Sequence, residues 1–86
     1  MNTFLLTIST PAGNCFCETV ESLSLRGTEG ELAVMAGHVP FVTAVKEGAC
    51  TIVTADGDER RAHTKAGLLT VGKGQTTLLS DSFQWE

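Results

Sequence analysis

The stretch Gly27-Thr28-Glu29-Gly30-Glu31-Leu32-Ala33-Val34-Met35-Ala36-Gly37-His38-Val39-Pro40-Phe41-Val42-Thr43-Ala44-Val45 decides how the rest of the chain is read. It sets three glycines, two carboxylates, a histidine and a proline among short apolar runs. Glycine and proline punctuate extended chain, and the apolar runs have strand length. The stretch therefore reads as a tight acidic turn at Glu29-Gly30, a short strand over Glu31 to Met35, a second turn at Gly37-His38, and another strand from Phe41. Pro40 fixes its own φ and holds His38-Val39 extended. Phe41, Thr43 and Val45 share one face and Val42 and Ala44 the other, which suggests a strand covered on both sides.

Upstream, Phe4, Leu6 and Ile8 alternate with Leu5, Thr7 and Ser9, a period-two pattern with one apolar exception, and Thr10 to Asn14 breaks it. From Cys15 to Arg26 the chain is extended again. Leu23 and Leu25 lie on one face, with Val20 out of register, so a bulge between Val20 and Leu23 is expected. Downstream, Lys46-Glu47-Gly48 is a turn, Ala49 to Thr54 a strand, and Asp56-Gly57 a hairpin signal. The polar run Glu59 to Thr64 suits a solvent-facing strand. Lys65-Ala66-Gly67 turns, Leu68 to Val71 and Thr76 to Ser80 make the last strands, and Phe83 and Trp85 fall in a tail without pattern. Apolar residues nowhere recur at i, i+3, i+4 and i+7 for two turns, so no substantial helix is expected. The expected fold is all-β: an antiparallel β-sandwich of about eight to ten short strands, with residues 1–86 as a single domain.

Eighty-six residues leave little room for a large internal cavity, which favours a surface that binds over a buried active site. The formal net charge of −4 argues against nucleic acid and leaves basic protein surfaces as electrostatic partners. No apolar run reaches the ~20 residues of a membrane helix, and the N-terminus lacks the basic start of a signal peptide. Three cysteines are an odd number, which suits free thiols in a reducing compartment. Cys15 and Cys17, two apart in an extended segment, should share a face; packing is the expected role of all three thiols, Cys50 included. A metal site would need His38 or His63 beside Cys15 and Cys17, without metal-type spacing to support it.

An enzyme would have to draw on Cys50 or Cys15, His38 or His63, and Asp56, Glu29 or Glu31, and no local motif brackets them. Gly27 to Gly30 lacks the ending of a phosphate loop and no helix follows it. Catalytic residues, cofactor sites and metal sites are therefore all expected to be absent. For His38 the choice is between a turn residue bonded to nearby backbone and a partner contact. Glu29 and Glu31 would project to the same side if the segment is extended, or be two solvated turn charges. Arg60 and Arg61 read as decoration of an exposed face.

Glu29-Gly30-Glu31-Leu32 followed by Gly37-His38-Val39-Pro40-Phe41-Val42-Thr43 resembles the signature of the epsilon subunit of the F-type ATP synthase. The likeness runs through Val20-Glu21, Lys46 with Gly48, Gly67, Leu69 to Val71, and Leu78 to Asp81. It implies that family's N-terminal β-sandwich, a non-catalytic rotor part of the central stalk that joins the gamma subunit to the c-ring. By the same resemblance, Glu29, Gly30 and Glu31 face the c-ring, and His38, Pro40 and Val42 face gamma. Its place is the cytoplasmic face of a bacterial membrane, held there through the complex. Ala33 and Ala36 stand where the family commonly has glycine and proline, and Lys65-Ala66-Gly67 departs from its usual small-residue and glycine pair. The family continues past the position of Asp81 into a helical hairpin; with this sequence stopping at Glu86, that C-terminal hairpin is expected to be absent, and no nucleotide site is expected. The alternative is a generic sandwich adaptor whose likeness is confined to turns.

Overall fold

A computed structural model describes residues 2–37 and 39–86. Nine strands follow in order: β1 (Phe4–Thr10), β2 (Gly13–Gly27), β3 (Gly30–Met35), β4 (Phe41–Val45), β5 (Gly48–Thr54), β6 (Glu59–Thr64), β7 (Gly67–Gly72), β8 (Gln75–Ser80) and β9 (Phe83–Trp85). The all-β architecture is as expected. β2 is the organising element. At 15 residues it is no short strand. Its first half pairs with β1, while its second half pairs with β3 on one edge and β5 on the other. It thus belongs to two layers, β4-β7-β8-β1-β2 and β3-β2-β5-β6-β9.

Two bulges let β2 turn. One falls between Val20 and Ser22 against β5, where the sequence placed it. The other lies opposite Ile8 and Ser9 and leaves Cys15 without a partner of its own. An extra residue in one strand reverses the side-chain alternation there. Cys15 Sγ accordingly sits 3.7 Å from Thr10 Oγ1 and Cys17 Sγ 3.6 Å from Thr7 Oγ1, against residues three apart on β1 and so on opposite faces. The expected shared face of Cys15 and Cys17 is overturned. Both thiols are exposed, and only Cys50 packs in the core.

Alternating residues from both layers meet inside: Phe4, Leu6 and Ile8 of β1, Leu23 and Leu25 of β2, Ile52 of β5, Leu69 of β7 and Leu78 of β8 are all buried. A buried hydroxyl pair ties the layers, Thr64 Oγ1 of β6 donating to Ser80 Oγ of β8 at 2.8 Å. Three further features depart from the sequence reading. β1 and β8 run parallel, so the sheet is mixed. Phe83 to Trp85 is a strand on β6, with the Glu86 N–H donating to Arg61 O at 3.0 Å. Val42 and Ala44 are exposed, so β4 is covered on its inner side alone. The Asp56-Gly57 turn is present: Gly57 has φ +89° and its N–H reaches Thr54 O at 2.9 Å. Gly67 is required for another reason, since a Cβ there would lie 1.9 Å from the Leu79 carbonyl oxygen.

Candidate protein-binding interface

The acidic turn is a two-residue hairpin. Gly27 and Gly30 pair across it, leaving Thr28 and Glu29 at the tip. Gly30 takes φ +125°, which an L side chain adopts only with strain. Glu29 therefore sits on the turn and Glu31 on the strand, rather than both on one extended run. Both are exposed, and neither has an ion-pair partner among the described residues.

Across from this hairpin runs β4, which touches β2 through a single pair, Gly27 and Val45. Beyond that pair the layers part. A groove of about 320 Å³ opens there, lined by Gly27 to Leu32 on one wall and Phe41 to Thr43 on the other. Glu29, Gly30, Glu31 and Val42, drawn from the two sides of the candidate site, thus line one groove. Pro40 is exposed just before that wall and outside the lining. His38 lies outside the described residues.

Val42 also belongs to a larger surface that sequence reading missed. The registers put Val42 and Ala44 of β4, Leu68 and Thr70 of β7, Gln75, Thr77 and Leu79 of β8, and Leu5, Thr7 and Ser9 of β1 on one outer face. Asn14, Cys17 and Thr19 of β2 extend it. None of these strand residues carries a charge; Lys73, in the turn after β7, stands at the rim beside Thr70, Gln75 and Thr77. Val42 is 61% exposed, Leu79 47% and Leu68 41%, a combination that marks a contact surface. The signal was present in Leu5, the apolar exception in its strand, and in the apolar pairs Leu68-Leu69 and Leu78-Leu79. It could not be used until pairing showed that the outward members adjoin.

The opposite layer presents Arg26, Glu31, Glu59, Arg61 and His63 outward. Glu47 lies 3.3 Å from His63 Nε2 and 3.4 Å from Lys65 Nζ. The hydrogen bond from His63, then the charge of Lys65, hold its carboxyl below the usual value. Arg60 is not mere decoration: its guanidinium lies 3.8 Å from the centre of the Trp85 ring.

Catalytic use of Cys50 fails on geometry and chemistry. Its side chain is fully buried, and burial pushes its thiol up to about 12, away from the thiolate a nucleophile needs. Its neighbour on β6 is Ala62, which puts His63 on the other face of the sheet. Among the described residues no three histidine, cysteine or carboxylate side chains gather as metal ligands, and no helix is long and apolar enough to cross a membrane.

Fold and groove together define a small β-sandwich whose strands present an uncharged outer face beside an acidic hairpin. The chain belongs to the family described as ATP synthase, Delta/Epsilon chain, beta-sandwich domain, which it matches over residues 3–86. It is 36% identical over 83 residues to the sodium ion specific ATP synthase epsilon chain of Acetobacterium woodii, an alignment spanning 96% of this chain and 62% of that relative. The chain thus spans less than two thirds of that relative's length. Its fold superposes on a chain of the Euglena gracilis mitochondrial ATP synthase (OSCP/F1/c-ring) with a TM-score of 0.92 at 21% identity, covering 99% of this chain and 54% of the other. A chain of the Tetrahymena thermophila mitochondrial ATP synthase central stalk and c-ring gives 0.78 at 11% identity, covering 93% and 64%. At such identities the structural likeness is one of fold.

Proposed function

We propose that this domain is a non-catalytic part of an ATP synthase central stalk, and that it links the gamma subunit to the c-ring during rotation. Membership in the delta/epsilon sandwich family supports the assignment. The observation that carries the division of labour is the uncharged outer face meeting an acidic hairpin at one groove. A surface of apolar and hydroxyl side chains avoids the cost of burying ions, so it suits a lasting contact with gamma through Val42, to which the family resemblance adds Pro40 and His38. The unpaired carboxylates of Glu29 and Glu31, with Gly30 between them, suit basic side chains on c-ring loops, where charge pairing sets register more than affinity. The domain would be peripheral to the membrane, on the cytoplasmic face in a bacterial cell.

The test is binding of the domain to the matching gamma subunit by calorimetry, beside a His38→Ala, Val42→Glu double variant. Saturable binding lost in the folded double variant supports the assignment. A well-folded wild-type domain indifferent to gamma would sink it in favour of a generic adaptor.

A further inference from the structure

β9 has three residues, and among the described residues it pairs with β6 alone. Its two ends are held differently. At the root, Thr64 Oγ1 donates to Ser80 Oγ, Ser80 Oγ donates to Ser82 O at 2.9 Å, and the Lys65 N–H reaches that same oxygen at 3.1 Å. Thr64 and Ser80 are buried, so water does not compete for these bonds. Past the root, hydrogen-bonded and non-hydrogen-bonded pairs alternate along the antiparallel ladder. With Lys65 and Ser82 bonded, Gln84 bonds to His63, and the Glu86 N–H donates to Arg61 O at 3.0 Å. Gln84 and Glu86 are exposed, and Phe83 and Trp85 are only partly covered. What they cover is a slot. Phe83 lies opposite Thr64 and Trp85 opposite Ala62, so both rings share the inner side of β6 with these buried residues. Trp85 closes on buried Phe16 of the facing layer, and Arg60 caps its ring.

We infer that β9 is a self-ligand: a strap seated in a peptide site formed by the β6 edge and the slot over Phe16 and Ala62, which hinges open at Ser82 while the rest of the sandwich stays folded. The occupant is the one the fold shows. Its pattern defines what the site takes, namely extended chain with aromatic side chains at alternate positions, as Phe83 and Trp85 are. Main-chain pairing with pockets for alternate side chains is a recurring mode of peptide recognition. A short segment with a shielded root and a solvent-exposed tip opens at less cost than the whole domain. The inference is independent of the partners proposed for the other side of the sandwich.

Amide hydrogen exchange on the wild-type domain tests the opening. Corrected for intrinsic rates, the Gln84 and Glu86 amides exchange together, about a hundredfold or more faster than those of β8, which has neighbours on both edges. Low urea leaves the strap rates flat while the β8 rates climb, because strap opening exposes little surface. The site itself is tested with Trp85→Ala, which leaves the chain without tryptophan or tyrosine, and a synthetic peptide of residues 81–86 as the probe. The peptide's tryptophan emission shifts to the blue and saturates with the folded variant. Wild type binds the same peptide about tenfold more weakly or less, since its tethered strap competes at a millimolar effective concentration. Strap rates that climb with urea in step with β8 overturn the inference, as does fraying in which Glu86 is open while Gln84 is as slow as β8. Peptide emission unchanged by the folded variant overturns the site. If Trp85→Ala does not fold, the exchange result on wild type decides.

Discussion

The two layers part on both sides of the sandwich, and the two seams are handled differently. On one side Phe16 of β2 meets Trp85 of β9 edge to face at 5.6 Å, Phe83 meets Trp85 at 4.9 Å, and Arg60 covers the Trp85 ring. The chain fills this gap with its own aromatic side chains. On the other side Gly27 and Val45 make the only strand pair between β2 and β4, and beyond it the groove beside Glu29 to Glu31 stays open. A gap plugged from within contributes to folding stability; a gap left open contributes to association. The proposed stalk role would need both, a block that holds its shape and a surface that holds something else.

This contrast can be broken by substitution at either seam. Trp85→Ala has the largest expected effect: it removes the ring that touches Phe16, Phe83 and Arg60. Loss of a fully buried aromatic costs 3–5 kcal/mol; Trp85 is 36% exposed, so a fall of about 2–3 kcal/mol in unfolding free energy by denaturant titration is expected. Gamma binding by the fraction still folded should be unchanged. Val42→Glu reverses the pattern. Its side chain faces solvent, so the denaturation midpoint should move by no more than about 0.5 kcal/mol, while calorimetry with gamma shows about a tenfold loss or more. A stability loss at Val42, or a binding loss at Trp85, would erase the distinction between the seams.

A finer probe is Arg60→Gln, which keeps a planar polar end and removes the charge over the indole. The expected cost is about 0.5–1 kcal/mol, the range of partly solvated cation–π contacts, read by denaturant titration with Trp85 fluorescence. No change would mean that the aromatic rings alone close the seam.

The sequence showed more of the open seam than of the closed one. The punctuation of Gly27 to Pro40 located the acidic hairpin, because glycine and proline act through local geometry that one sequence displays. The bulge near Glu21 was legible for the same reason, as a break in alternation. Phe83 and Trp85 gave no such signal. Their strand is three residues long and exists through pairing with β6, a contact with residues some twenty positions away. The parallel partnership of β1 with β8 is still more remote. Cys15 was misplaced because a bulge set by β1 is invisible from within β2. The uncharged face is likewise a product of register, since its residues come from five strands and no single strand announces it.

The smallest expected effect lies just past the closed end of the open seam, at Glu47. Its carboxyl is held below the usual 4.5 by the His63 hydrogen bond and the Lys65 charge. A carboxyl whose value is lower in the folded than in the unfolded state contributes stability above the unfolded value and loses it as pH falls through the folded one. The contribution should thus be present above the unfolded value of 4.5, and disappear as pH falls through the lower folded one. Glu47 is fully exposed and its pairs are screened by solvent, so the loss belongs in an NMR titration of its side-chain resonance rather than in a melting curve. Lys65→Ala should return the midpoint toward 4.5. Across the same window Trp85 fluorescence should stay constant, because the groups against its ring are Phe16, Phe83 and the Arg60 guanidinium, none of them a carboxylate. A Trp85 signal that follows Glu47 would show that the two seams are coupled through β6, which carries both Arg60 and His63.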